Sequence, residues 1–200
     1  MRLTIIAAIL LACTMALTGC GDDNSDDGSS SSQSQQNQQN QQDQQNQSST
    51  DLTKQEFDVA WQDALDDARD EFDGDVNKIE LEPNDAGNYV YKIELLSDTQ
   101  KFAMQVDATS GETVNKKTED LESDERGAER REERIDLQKV IPLDKAMKTA
   151  LDVQDGPVNK WKLEGDRGGA QYEFDIGTSN GEDREVQIDA TSGEVKHDED

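Results

Sequence analysis

One histidine, two cysteines and 46 acidic side chains are the groups in this 200-residue chain whose chemistry could support a reaction. His197 lies in the run Lys196-His197-Asp198-Glu199-Asp200, with no apolar neighbour to fix its imidazole beside a nucleophile or a metal. No glycine-rich phosphate loop occurs. Pairs of carboxylates are frequent, but with 46 acidic against 20 basic residues they are expected on solvated faces, where nothing tunes them for acid–base work. Asp23, Ser25, Asp27 and Gly28 imitate the opening of a calcium loop, yet the position that should supply a bidentate glutamate is Ser34 and no helical pattern flanks the segment. The expectation is a non-enzymatic chain with no catalytic residues, no cofactor and no metal site. Weak, diffuse association of divalent cations with its acidic stretches is the most that this pattern supports.

Cys20 is the residue with a definite chemical role. Arg2 precedes an apolar run from Ile5 to Leu17, and Leu17-Thr18-Gly19-Cys20 closes it. A spanning helix needs about 20 apolar residues; this run stops at Gly19 and turns acidic at Asp22 and Asp23. The closing tetrad resembles the lipobox of bacterial lipoproteins. That resemblance implies cleavage between Gly19 and Cys20, acylation of the Cys20 thiol, and attachment to a membrane on its extracytoplasmic side. Cys13 would leave with the signal segment 1–19, so no disulfide is available to the remaining chain. A formal net charge of −26 argues against nucleic acid as a partner, and against anionic headgroups meeting a charged protein surface.

The elements that would carry any binding surface follow a tether. Residues 20–51 consist largely of Gln, Asn, Ser and Asp, too polar to bury a core, and are expected to act as a spacer with a reach of roughly 30 Å. Beyond them the chain repeats. Val106-Asp107-Ala108-Thr109-Ser110-Gly111-Glu112 returns 82 residues later as Ile188-Asp189-Ala190-Thr191-Ser192-Gly193-Glu194, and Val76-Asn77-Lys78 returns as Val158-Asn159-Lys160 at the same spacing. In the first copy, Thr53-Lys54-Gln55-Glu56 reads as a capping box opening a helix of about five turns whose stripe is Phe57, Ala60, Trp61, Ala64, Leu65, Ala68 and Phe72. Alternation then gives three strands with Ile79 and Leu81, Tyr89 to Leu95, and Phe102 to Ala108 on one face, and Lys78, Glu80, Lys92, Glu94 and Gln105 on the other. The second copy places Leu143, Ala146, Met147, Ala150 and Leu151 on a helix begun by Pro142, with Trp161, Leu163, Tyr172, Phe174, Ile176, Val186 and Ile188 on its strands.

The predicted fold is α+β, two tandem units of one helix packed on a three-stranded antiparallel sheet. The densely charged Asn115–Arg134 stretch reads as a linker. Asp107 with Gly111, and Asp189 with Gly193, read as structural turn residues: the aspartate bonds backbone amides and the glycine takes a left-handed backbone. Trp61 and Trp161 read as packing residues.

Taken together, the inward alanines, the Val-to-Leu-Glu strand, the Tyr-containing strand and the Asp-Ala-Thr-Ser-Gly-Glu ending resemble the PepSY domain, in tandem over 52–117 and 135–197 with 118–134 between. The resemblance implies a non-catalytic module that inhibits or regulates a secreted or membrane peptidase, or binds another envelope protein. Two further expectations stand beside it: a structural or cation-associating acidic envelope lipoprotein, and an accessory subunit of a membrane sensor.

Overall fold

A computed structural model describes residues 51–196 of the chain, in the order α1 (Trp61–Glu71), β1 (Asp75–Pro83), β2 (Tyr89–Leu96), β3 (Gln100–Asp107), β4 (Thr113–Asp120), α2 (Ala128–Glu133), α3 (Leu143–Val153), β5 (Val158–Asp166), β6 (Gly169–Gly177) and β7 (Asp183–Asp189). The signal segment, Gly19, Cys20, the tether and His197 lie outside the described residues. All seven strands form one antiparallel sheet ordered β4-β3-β2-β1-β5-β6-β7. The two repeats therefore meet edge to edge, through β1 and β5.

That seam is symmetric in register. Ile79 faces Leu163, Glu80 faces Lys162 and Leu81 faces Trp161. Glu80 and Lys162 occupy the same place in the two copies, 82 residues apart, so a local two-fold axis passes between them. Around it every charged cross-strand pair is complementary: Lys78 opposes Glu164, and Lys160 reaches Glu80 at 2.7 Å and Glu82 at 3.4 Å. Two identical copies of the first unit would set Glu80 against Glu80, and two of the second Lys162 against Lys162. Like charges directly opposite are destabilising, so the seam favours pairing of the first unit with the second.

One face of the sheet is apolar because of the period-two pattern, and α1 and α3 cover it. Ile79, Ile93, Leu95, Val106, Phe174, Ile176 and Ile188 are fully buried there, beneath Ala64 and Ala68 of α1 and Ala146 and Ala150 of α3. Alanines at these steps let each helix lie close to the strands. Phe72 stacks on Phe102 at 5.3 Å between ring centroids and closes the end of the first half.

The α+β architecture is as expected, but two local readings need correction. First, α1 starts at Trp61, not near Thr53. The Thr53 hydroxyl donates to Asp51 at 2.8 Å within a turn, and the chain from there to Ala60 is not helical. The Val59 N–H donates to the Ala108 carbonyl at 3.1 Å, while the Val59 carbonyl accepts the Tyr91 hydroxyl at 2.9 Å. These long-range bonds outweigh the local capping signal, and the Asp63 carboxylate instead accepts the Ala60 N–H at 3.4 Å.

Second, the stretch read as a linker carries structure. Its beginning lies in β4, a fourth strand of the first unit paired with β3, and its end is α2. All eight residues of β4 are exposed, so the strand has no apolar period to betray it.

α2 is held by charge pairs to other elements. Arg130 bonds Asp75 at 2.9 Å and Asp98 at 3.1 Å, Glu129 bonds Lys101 at 3.0 Å, and Glu132 bonds Arg167 at 3.0 Å. The Glu133 carbonyl lies against Gly165 so closely that a Cβ there would overlap it.

The seam yields a double-mutant test. Glu80 is buried and its carboxylate meets Lys160, so Glu80→Gln and Lys160→Met should each lower unfolding free energy by about 2 kcal/mol. The double variant should lose at least about 1 kcal/mol less than the sum, as read from urea denaturation. Additive losses would show that the pair contributes no coupling to the seam.

Candidate interaction surface

The repeated turns are built almost identically. Asp107 Oδ1 accepts the Thr109 N–H at 3.0 Å and the Ser110 N–H at 2.8 Å; Asp189 Oδ1 accepts those of Thr191 and Ser192 at 3.0 and 2.7 Å. Gly111 and Gly193 have φ of 74° and 79°, a left-handed backbone that admits glycine with least strain. Their N–H groups donate to the carbonyls of Asp107 and Asp189, both at 2.9 Å. The Ser110 and Ser192 amides hold the two carboxyls below the usual aspartate range, against a smaller upward push from burial. The acceptor oxygen of each aspartate is thus committed to its own turn.

A second repeated lock joins each helix to the sheet. Ile141 stands where Val59 stands in the first copy: its N–H donates to Ala190 at 2.8 Å and its carbonyl accepts the Tyr172 hydroxyl at 2.9 Å. Burial, with a smaller contribution from Asp63 and Asp144 respectively, pushes the Tyr91 and Tyr172 phenols up to about 12, so both remain donors at neutral pH. The tyrosines were legible as inner-face residues; their part in anchoring the segments before the helices was not, because it depends on contacts 31 and 32 residues away along the chain.

The opposite face of the sheet is charged but largely neutralised from within. Lys162 lies 3.0 Å from Glu164 and 2.5 Å from Glu173, Lys78 lies 2.5 Å from Glu94, and Lys92 pairs with Glu82. Burial alone would depress the Lys160 ammonium, but Glu80 and Glu82 outweigh it and raise its pKa. A ligand reaching this face must first break such pairs.

Shallow depressions occur among the described residues. Phe57 and Tyr89, with ring centroids 5.4 Å apart, border a groove of about 480 Å³ that Gln55, Asn88 and the 107–110 turn complete. Arg130, Arg131 and Arg134 line a cleft of about 300 Å³ whose Asp75 and Asp98 already bind Arg130. Among the described residues, no group of histidine, cysteine or carboxylate side chains is arranged to hold a metal ion, and no helix is long and apolar enough to cross a membrane.

The two outer edges of the sheet differ. At one end the edge strand is β4, paired with β3 on its inner side and exposed at all eight residues. At the other, β7 is met on its outer side, among the described residues, only by an Ile188–Val195 bridge and by the Lys196 N–H, which donates to Gln187 at 2.8 Å.

Residues 62–117 and 140–196 each match the family model described as "Peptidase propeptide and YPEB domain", PepSY. The chain belongs to the PepSY family. No curated protein matches it. Among solved structures it is similar to the crystal structure of a putative lipoprotein from Clostridium difficile 630, with 30% sequence identity and a TM-score of 0.66 over 74% of this chain and 96% of that one.

The PepSY segments contain the Tyr-containing strand, the Asp–Gly turn and nearly all of each helix, while Val59 of the repeated lock lies just before the first segment. The structure does not bring Asp107 and Asp189 together into one site, since β3 and β7 lie in opposite halves of the sheet. Trp161 packs in the core, and Trp61 packs partly buried against it.

The turn aspartates predict a pH response. Their folded-state pKa values are depressed, so their contribution to stability is complete above the ordinary aspartate pKa of about 4 and is lost as pH falls through the folded-state values. Asp107→Asn with Asp189→Asn should lower stability at pH 7 by about 1 kcal/mol and flatten the decline below pH 4. Thermal melts from pH 7 to pH 2 would show it. An unchanged acid limb would mean that these carboxylates do not contribute.

Proposed function

We propose that this PepSY protein is a non-catalytic, extracytoplasmic binding module, tethered to a membrane through acylated Cys20, that engages and restrains a secreted or membrane peptidase or a related envelope protein. The observation that carries the reading is the match of both folded segments to the peptidase-propeptide family model. Similarity at 30% identity to a putative lipoprotein, covering 96% of that chain, supports the envelope address, as does the Leu17-Thr18-Gly19-Cys20 tetrad.

The chemistry of the folded part fits a binding role. Its turn aspartates and inner-face tyrosines are held in structural hydrogen bonds, and the charged face is paired internally. Recognition then falls to shape and backbone groups, the means by which extended peptides are captured along a sheet.

The test is direct. A fragment from Asp51 incubated with secreted metallopeptidases that occur with it should form a complex with at least one of them and slow its cleavage of a peptide substrate. Mass spectrometry of the native protein should find a diacylglyceryl group on an N-terminal Cys20. Neither complex nor inhibition across the set would remove the peptidase reading, and an unmodified Cys20 would remove the anchor.

A further inference from the structure

The outer edge of β7 and the outer edge of β3 are equivalent positions in the two repeats. The Val106–Thr113 pair that opens β4 on β3 recurs, 82 residues on, as the Ile188–Val195 bridge. In the first copy this start extends into seven residue pairs, with Lys116 opposite Met104 and Lys117 opposite Ala103. In the second copy Val186 stands at the Met104 position and Glu185 at the Ala103 position, while Asp198 and Glu199 stand where the two lysines were. Continuing the same register would set Glu199 directly against Glu185, a like-charge pair that weakens strand pairing.

The remaining backbone groups are aligned for a strand. The Asp189 N–H and the Gln187 carbonyl both bond outward, to Glu194 and Lys196. The alternation of an antiparallel ladder therefore aims the N–H and carbonyl of Glu185 outward as well. On the polar face beside them stand Asp183, held by the Asn159 amide at 2.7 Å, and Glu185, held by the Gln187 amide at 2.7 Å; Arg184 turns the other way, toward Gln154 at the end of α3. No ion pair to Asp183 or Glu185 forms among the described residues.

We propose that the β7 edge, over Asp183–Gln187, is the docking site for an extended segment of a partner protein that adds as an eighth, antiparallel strand and places basic residues against Glu185 and Asp183. The inference rests on the binding-module reading and specifies its surface and the chemistry of its partner. β4 is the protein's own partial template for the occupant: its Lys117 would oppose Glu185, while its Glu119, opposite Lys101 in the first copy, would oppose Asp183, where the occupant needs a basic residue instead. Backbone pairing supplies attraction without a side-chain motif, and the acidic row selects a basic strand over an acidic one.

The probe is a capped peptide of β4 sequence, Thr113 to Asp120, with Glu119→Lys, titrated into the isotopically labelled full chain while the Glu185 and Gln187 amide resonances are followed. Shifts confined to β7 and its neighbours are expected. Affinity should fall about fivefold when Lys117 of the peptide is replaced by glutamate, and Glu185→Lys should invert that preference. Glu185→Pro removes an outward N–H while leaving the bonds to β6 in place, and should abolish binding with the spectrum otherwise intact.

Four results would overturn the proposal. Shifts elsewhere, or none, exclude the edge. Binding that appears only after residues 197–200 are removed assigns the edge to the chain's own tail. Concentration-dependent self-association lost in Glu185→Pro assigns it to a second copy. A captured peptidase bound equally well by Glu185→Pro shows that the partner docks elsewhere, leaving the binding-module reading intact. Conversely, selective peptide binding at β7 without any peptidase complex would sustain the edge and remove only the peptidase as its partner class.

Discussion

The β1–β5 pairing is the contact on which the rest of the molecule depends. Each repeat alone would be a helix on a three- or four-stranded sheet with an interior edge exposed, and units of this size bury too small a fraction of their surface for much stability. Joined through β1 and β5, they share one cluster of buried apolar side chains beneath two helices. The joint also removes two unpaired edges of the kind that invite aggregation. Its symmetry has a chemical consequence. At a two-fold axis between identical units, a charged residue next to the axis meets its own copy; divergence of the repeats has put Glu80 and Lys162 at that place. The Lys160 ammonium satisfies the Glu80 carboxylate, which lets a glutamate on the polar face be buried.

Much of this was legible in the sequence, and what was not follows a physical pattern. The 82-residue repeat and the inner faces could be read because alternation records burial on one side of a sheet. Ile79, Ile93, Met104, Phe174 and Ile188 all lie in the core. The start of α1 was misread because Thr53 and Glu56 offer a plausible local cap, whereas the extended path before the helix is fixed by Ala108 and Tyr91, far along the chain. The strand β4 was invisible for a different reason. Residues exposed on both faces leave no hydrophobic period, so only its pairing with β3 reveals it. Likewise no local pattern states which of two equivalent strands will pair, or in what register.

The candidate surface divides along the same line. The Asp–Gly turns stood out because they repeat, and their repetition has a complete structural explanation in backbone hydrogen bonds. Recurrence within a chain marks what each copy needs in order to fold. Any feature used for recognition by only one copy should instead be found where the copies differ, and they differ most beyond the turn. There one unit continues into a paired strand carrying two lysines, while the other meets a run of acidic residues.

That difference bears on how an open edge is tolerated. A strand with unpaired backbone groups will accept almost any extended chain unless charge discourages it. Asp183 and Glu185 line the polar side of β7, with Asp175 on the neighbouring strand, and burial together with these two carboxylates pushes Asp175 up while Lys160 opposes them. In a chain of net charge −26 most encounters with another copy are already repulsive, and this row extends the repulsion to an edge where backbone pairing could otherwise begin. The same field acts with opposite sign on a basic segment. Charge that protects the edge from its own kind thereby defines the strand it can accept, so protection and selectivity are one property of the same few side chains.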